Sequence, residues 1–350
     1  MKAAVWYEKG DIRIEETPVP VTGPGQVKVK IKACGICGSD LHEFREGPFI
    51  IPSRPHPLTH REGAPVILGH EFSGEVIELG EGVTQFSTGD RVVVNPLIYC
   101  GECHFCRLGH HIMCTKLGTV GFAADGAFAE YGVFFEYALL KLPDSVTDEI
   151  GTFVEPLAVA VHAVNRARMK IGDSVAVVGA GPIGLLVMQA CLAAGAARVF
   201  VVEPMKARRE IASETGAAAV IDPAETDAGK EIGKLTNGLR ADLAFDCVGN
   251  QSSFDTAVKA TGRRGIICVV GLALKPIEVP FIRLWGHEKE IVFSSGYEDE
   301  FPAAIAYLAD RRVQVDRLIS DNIKLDDLVE KGIRPLIQEG EKHIKILVYP

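Results

Sequence analysis

The run Val175-Ala176-Val177-Val178, followed at once by Gly179-Ala180-Gly181-Pro182-Ile183-Gly184, constrains this chain more than any other stretch. The apolar run reads as a buried strand, and the glycines permit a sharp turn into a helix. Further apolar runs follow at 199–202, 219–221, 243–245 and 266–270, spaced by helical segments. Uniformly apolar strands alternating with helices predict a parallel sheet covered on both faces, a doubly wound α/β domain. The turn sets backbone N–H groups and a helix N-terminus where a pyrophosphate would bind, so Gly179, Gly181, Pro182, Ile183 and Gly184 are candidate cofactor contacts. Glu203 stands at the end of the next apolar run, where a carboxylate accepts hydrogen bonds from an adenine ribose. A carboxylate there repels a 2′-phosphate, which favours NAD over NADP. Arg208 and Arg209 follow closely; they either weaken that preference, pack on the adenine or face water.

The same region carries no charge from 174 to 197, long enough to cross a bilayer, but the glycines and Pro182 break it into a strand and a helix. With 350 residues and 47% hydrophobic content, two domains are expected. A net charge of −9 argues against a nucleic-acid-coating protein and points to small molecules or copies of the chain as partners. The first residues have no apolar signal core, which predicts a cytoplasmic protein. Residues 1–150 read as mostly β, with alternating strands and prolines at 18, 20 and 24. Residues 47–65 hold five prolines and no period, and so predict a long loop or insertion.

Nine cysteines in a chain without a secretion signal suggest metal ligands or buried thiols. Cys100, Cys103, Cys106 and Cys114 are spaced to close a tetrahedron of thiolates, with Gly101 and Gly109 allowing a tight loop. Zinc is the natural occupant, although an iron–sulfur cluster also accepts four cysteines. A closed four-thiolate shell predicts a structural site; His104, His110 and His111 are then surface residues. Elsewhere, Cys34, Cys37, Ser39 and His42 crowd a glycine-rich turn after the strand-like run 27–32. Alone, Cys34 and Cys37 read equally as a redox pair or as two buried thiols. Cys37, His70, Glu71 and Glu155 are each plausible zinc ligands, but spacing alone does not bring them together.

Taken together, Cys37-Gly38-Ser39-Asp40-Leu41-His42, Gly69-His70-Glu71, the four-cysteine lobe, Val154-Glu155-Pro156-Leu157 and the glycine turn with Glu203 resemble the zinc-dependent medium-chain dehydrogenase/reductase family. The stretch 35–43 and the proline-rich insertion after it resemble the butanediol dehydrogenases within that family. The resemblance implies a GroES-like β-rich catalytic domain over 1–150 and 290–350 with both zinc sites, and an NAD-binding Rossmann domain over 151–289. It also implies two zinc ions per chain, one catalytic and one structural. The catalytic ion would be held by Cys37, His70 and either Glu71 or Glu155, and Ser39 would pass a proton towards His42. The implied reaction is reversible oxidation of a secondary alcohol of a vicinal diol, 2,3-butanediol to acetoin, with NAD. Sorbitol-like polyols and L-threonine are the alternative substrates, and a non-enzymatic zinc-stabilised nucleotide-binding protein is the remote one. A homodimer or homotetramer is expected from the family, and Cys34 is read as a buried thiol of the preceding strand.

Overall fold

The computed structural model describes all residues, Met1–Pro350, and divides into two compact units, Met1–Glu155 with Ile319–Pro350, and Pro156–Leu318. The first is built on β structure. Its central strand β1 (Gln26–Gly35) buries Val27, Val29, Ile31 and Ala33 on alternate positions, as a period of two requires. Beside it runs β2 (Glu71–Leu79), antiparallel, with Gly35 opposite Glu71 and Cys34 opposite Phe72. On the other side lies the closing strand Lys345–Tyr349, with Leu347 opposite Gly35. The sheet has seven strands, two of them contributed by residues after 318. The expectation that the chain's end returns to the first domain thus has a physical basis, since the backbone groups of Cys34 and Gly35 gain ladder partners there. Trp6, Leu68, Phe72 and Phe128 fill the core, each contributing about 1.5–3 kcal/mol by burial.

The chain turns from β1 into the helix α1 (Gly38–Glu46) through Cys37, its N-terminal cap. Residues 47–65 form no helix or strand before the short strand Val66–Ile67. The apolar helix α2 (Val154–Arg166) contains the boundary between the units.

The second unit holds a six-stranded, wholly parallel sheet: β3 (Ser174–Val178), β4 (Arg198–Val202), β5 (Ala219–Ile221), β6 (Ala241–Asp246), β7 (Thr261–Val269) and β8 (Glu290–Phe293). Their spatial order is β5-β4-β3-β6-β7-β8, the doubly wound order with its reversal between β3 and β6. The helix α3 (Pro182–Ala193) follows the glycine turn and is buried from Gly184 to Cys191. Residues 174–197 are therefore a strand and a helix, and no helix is long and apolar enough to cross a membrane.

Two expectations need correction. Residues 290–318 belong to this second unit, not the first: β8 pairs in register with β7, and the helix Phe301–Ala309 buries Phe301, Ala304 and Leu308 there. The break at 150 likewise moves to 155/156. The charged segment 325–339 is a 3-10 turn Leu325–Asp327, a π-helical stretch Leu328–Ile333 and a short helix Arg334–Gln338.

Candidate active site

The turn after β1 assembles a cluster of unlike donors. Cys37 Sγ, a ring nitrogen of His70 and a carboxylate oxygen of Glu71 all lie within 4.8 Å of one another. Cys37 comes from the start of α1, while His70 and Glu71 come from the start of β2; the ladder between β1 and β2 brings the two chain segments together. Gly35 is required by this approach, because a Cβ there would lie 2.6 Å from Glu71 Oε2. Ser39 Oγ lies 3.4 Å from His70 Nε2, so the hydroxyl joins the cluster. His42 sits three positions further along α1, partly exposed. Glu155, buried at the start of α2, falls outside the compact group, yet its charge acts on His70 and on Lys345.

Two charged residues that sequence reasoning left unassigned surround this cluster. Asp40, fully buried, accepts a hydrogen bond from the Cys37 backbone N–H at 2.9 Å and turns its other oxygen to His70 Nδ1 at 3.7 Å. At that distance the carboxylate acts on the Nδ1 side of the ring through its charge and not through a hydrogen bond. Lys345, at the head of the closing strand, is buried, pairs with Glu71 and donates to the Ile36 carbonyl at 3.0 Å. A single lysine heading the apolar run 346–348 was the available signal for it.

The electrostatics are those of a site with surplus negative charge. Burial opposes a charge on His70, but Asp40 and Cys37 outweigh it and raise the imidazole to about 10. Burial raises Asp40 to about 6 against the pull of His70. For Lys345 burial again opposes the charge, while Glu71 and Cys37 hold it above the usual range. A thiol, an imidazole and a carboxylate with acidic groups behind them form the donor set of a three-ligand zinc site that keeps a position open.

The four-cysteine lobe is built otherwise. Its sulfur atoms converge within 4.8 Å and accept backbone N–H groups: Cys103 to Cys100 at 3.3 Å, Cys106 to Cys103 at 3.5 Å, Lys116 to Cys114 at 3.3 Å. Gly101 and Gly109 adopt positive φ, +71° and +84°, as the tight loop demands. The N–H groups of Cys106 and Thr115 bring Cys103 down to about 6. Four convergent thiols with no further donor suit a closed zinc shell. Of the nearby histidines, His111 is not a bare surface residue: its ring stacks on Tyr99 at 3.9 Å.

In the second unit each glycine of the turn has its own reason. Gly179 has φ +91°, a Cβ on Gly184 would strike Gly179 O, and a Cβ on Gly181 would meet only Arg208 Nη1 at 3.7 Å. Gly181 therefore leaves the open approach that a pyrophosphate needs, with Pro182 and Ile183 opening α3 beside it. Glu203 differs from its expectation in one respect: its oxygens accept the N–H groups of Ala180 (2.6 Å) and Met205 (2.9 Å), so it braces the turn. Arg209 pairs with Asp222 and donates to the Glu203 carbonyl, a structural task.

Comparison with known proteins agrees in both halves. The model of the alcohol dehydrogenase GroES-like domain matches residues 23–144, and that of zinc-binding dehydrogenases matches residues 182–310. The chain is 43% identical to (R,R)-butanediol dehydrogenase of Bacillus subtilis, over 100% of both chains. It is 33% identical to the sorbitol dehydrogenase of the same organism, over 100% of this chain and 97% of that one. The crystal structure of 2R,3R-butanediol dehydrogenase from Bacillus subtilis matches with a TM-score of 0.94, covering 100% of this chain and 99% of that one. Likeness of this length and depth, joined to a three-donor cluster and a four-thiol lobe, leaves one assignment: the chain belongs to the zinc-binding alcohol dehydrogenase family.

Proposed function

We propose that this protein reversibly oxidises one carbinol of 2,3-butanediol to acetoin, with NAD as the hydride acceptor. The observation that carries the reading is the Cys37–His70–Glu71 cluster with Ser39 against it, in a chain 43% identical over its full length to a butanediol dehydrogenase. Cys37, His70 and Glu71 would hold the catalytic zinc, which when bound supplies a Lewis acid that lowers the pKa of the substrate alcohol. Glu155 is the competing third ligand; Glu71 is preferred because its oxygen already stands in the compact group. Cys100, Cys103, Cys106 and Cys114 would hold the second, structural ion.

The remaining work falls to the chain's own residues. Asp40 keeps His70 oriented, and Lys345 offsets the buried charge of Glu71. Ser39 Oγ accepts the alcohol proton and hands it on towards His42, which is partly exposed and can release it to water. The unit Met1–Glu155 with Ile319–Pro350 is the catalytic domain, and Pro156–Leu318 the cofactor domain. There Gly179, Gly181, Pro182, Ile183 and Gly184 cradle the pyrophosphate. The lone pairs of Glu203 not used by Ala180 and Met205 accept the ribose hydroxyls, and Arg208, beside Gly181, faces the cofactor. In the cytoplasm the enzyme would act as a homo-oligomer. The outer edge of β8 is unpaired, and Phe281, Ile282, Trp285 and Phe293 are 67–77% exposed near it, a surface that a second copy would cover.

The deciding experiment is an NAD-reduction assay on the separated butanediol stereoisomers alongside sorbitol and threonine. Turnover of a butanediol isomer well above the other alcohols is the expected result; preference for sorbitol or threonine would replace the substrate, and no reduction with any alcohol would sink the enzymatic reading. Zinc content of Glu71→Gln and Glu155→Gln separates the two candidate ligands, the former being expected to lose the catalytic ion.

A further inference from the structure

The stretch Gly262-Arg263-Arg264-Gly265 interrupts the pairing of β7 with β6. Between the pairs Ala241–Thr261 and Leu243–Ile266, β7 advances five residues while β6 advances two, so the extra residues leave the ladder as a bulge. The two glycines permit it, because a Cβ on Gly262 would strike Leu239 O and one on Gly265 would strike Thr261 Cγ2. Both arginines at its apex are exposed, and Arg264 holds φ +58°, a left-handed conformation that residues with a side chain seldom adopt. Bulges re-aim side chains, and this one turns two cations to the solvent.

Further cations gather at the same end of the sheet. Arg240 immediately precedes β6, with φ +67°, and its Nη1 donates to the Lys259 carbonyl at 2.9 Å. Lys289 immediately precedes β8; its half-buried Nζ donates to the Val258 and Thr261 carbonyls at 2.6 and 2.7 Å. These carbonyls end the helix Gln251–Ala260, whose negative pole attracts cations. That accounts for the placing of Arg240 and Lys289 and leaves each with unused donors. It does not account for Arg263 or Arg283, both exposed, which make no hydrogen bond or ion pair within the chain. The Arg264 N–H ties the bulge to this group by donating to the His287 carbonyl at 2.8 Å. The cations crowd one another: burial, with Arg240 and Arg283 close by, brings Lys289 down to about 8, and partial burial, with Lys289, Arg263, Arg240 and Arg283 around it, lowers His287. The neighbouring carboxylates are engaged, Glu288 with Arg264 at 3.4 Å, Asp242 with the Ser174 N–H at 2.8 Å and Glu290 with Arg168. In a chain of net charge −9 the result is a local excess of positive charge.

We propose that Arg240, Arg263, Arg264, Arg283 and Lys289 form a binding site for a small polyphosphate anion, at the opposite end of the parallel sheet from the glycine turn. β6, β7 and β8 begin among these cations, whereas the turn follows the last residue of β3, and all of these strands run parallel. Guanidinium groups match phosphate oxygens with paired N–H donors, which makes phosphate the fitting anion. A single exposed cation contributes little, so an anion that meets one of them gains little, while a chain of phosphates meets several at once. The net charge of −9 disfavours a long nucleic acid, which would be repelled beyond the patch. The site is also apart from the apolar residues assigned to a second copy. On the helix Phe281–Gly286 and its cap, Arg283 and His287 stand four residues apart on one face, and Phe281, Ile282 and Trp285 share another.

The test is calorimetric titration of the zinc-loaded, full-length protein with inorganic tripolyphosphate in the presence of saturating NAD. One saturable site per chain is expected, its affinity falling about tenfold or more in the double variant Arg263→Gln, Arg283→Gln and falling steeply when salt is raised from about 50 to about 200 mM. Heat from zinc chelation is common to the wild type and the variant and cancels between them. Orthophosphate is expected to bind about tenfold more weakly than tripolyphosphate. No saturable binding, or equal affinity in the double variant, would overturn the proposal. So would competition between tripolyphosphate and NAD, which would put the anion at the glycine turn. Equal affinity for the two phosphates would overturn the polyphosphate assignment, and tighter binding of a single-stranded oligonucleotide would replace it with nucleic acid. Should the double variant fail to fold, Arg263→Gln alone decides. The outcome does not depend on which alcohol the enzyme oxidises.

Discussion

The two ligand clusters of the first unit reach similar compactness by opposite means. In the lobe all four donors come from fifteen consecutive residues, and backbone N–H groups brace the sulfurs. In the Cys37 cluster the donors come from two strands' ends, and the braces are side chains: Asp40 behind His70 and Lys345 behind Glu71. A site braced by peptide groups depends on the local fold of one loop. One braced by buried charges depends on every partner being present, because removing one leaves another uncompensated.

The comparison is broken most directly at Cys37. Replacement by alanine should remove the catalytic zinc and nearly all turnover while the lobe keeps its metal, so metal analysis should read one ion fewer per chain with the circular dichroism unchanged; full activity would refute the assignment. Lys345→Ala comes next. In the metal-free protein, leaving Glu71 buried and unpaired should destabilise the first unit by about 3–5 kcal/mol, seen in denaturant unfolding. A smaller effect is expected for Asp40→Asn: about 10–100-fold weaker zinc binding at the catalytic site in chelator competition, without loss of the lobe's ion. Cys103→Ser should affect turnover least. It should release the structural ion and lower the melting temperature or loosen assembly, whereas a large fall in kcat with the catalytic zinc retained would show that the two sites are not as separate as their construction suggests.

That difference in construction also explains what could be read from the chain beforehand. The lobe and the glycine turn were legible because their ligands and turns are consecutive, so that spacing alone carries the geometry. Cys37, His70 and Glu71 were legible as candidates only; their meeting depends on the register that sets Gly35 opposite Glu71, which no periodicity encodes. Asp40 was hidden among ordinary polar residues of a helix's first turn. Lys345 was hidden by distance, 274 residues from its partner Glu71. The domain boundary was misplaced at 290 because β8, Glu290–Phe293, is a short edge strand with a mixed burial pattern, unlike the apolar runs of the inner strands. Glu203 was found as the acidic residue after β4, but its bond to Ala180 across the turn was not foreseeable from its position in the chain.

The pairing of Lys345–Tyr349 with Gln26–Gly35 also bears on the order in which the protein matures during synthesis. Chains emerge from the ribosome N-terminus first and fold progressively as they appear. The lobe has all its cysteines once residue 114 is out, so it can load metal on a nascent chain. The Cys37 cluster must wait for Lys345, the counter-ion of Glu71, which is made 274 residues after it. The lobe can therefore be furnished while the Cys37 cluster still lacks its counter-ion, and loss of Lys345–Tyr349 should cost the second cluster and spare the first.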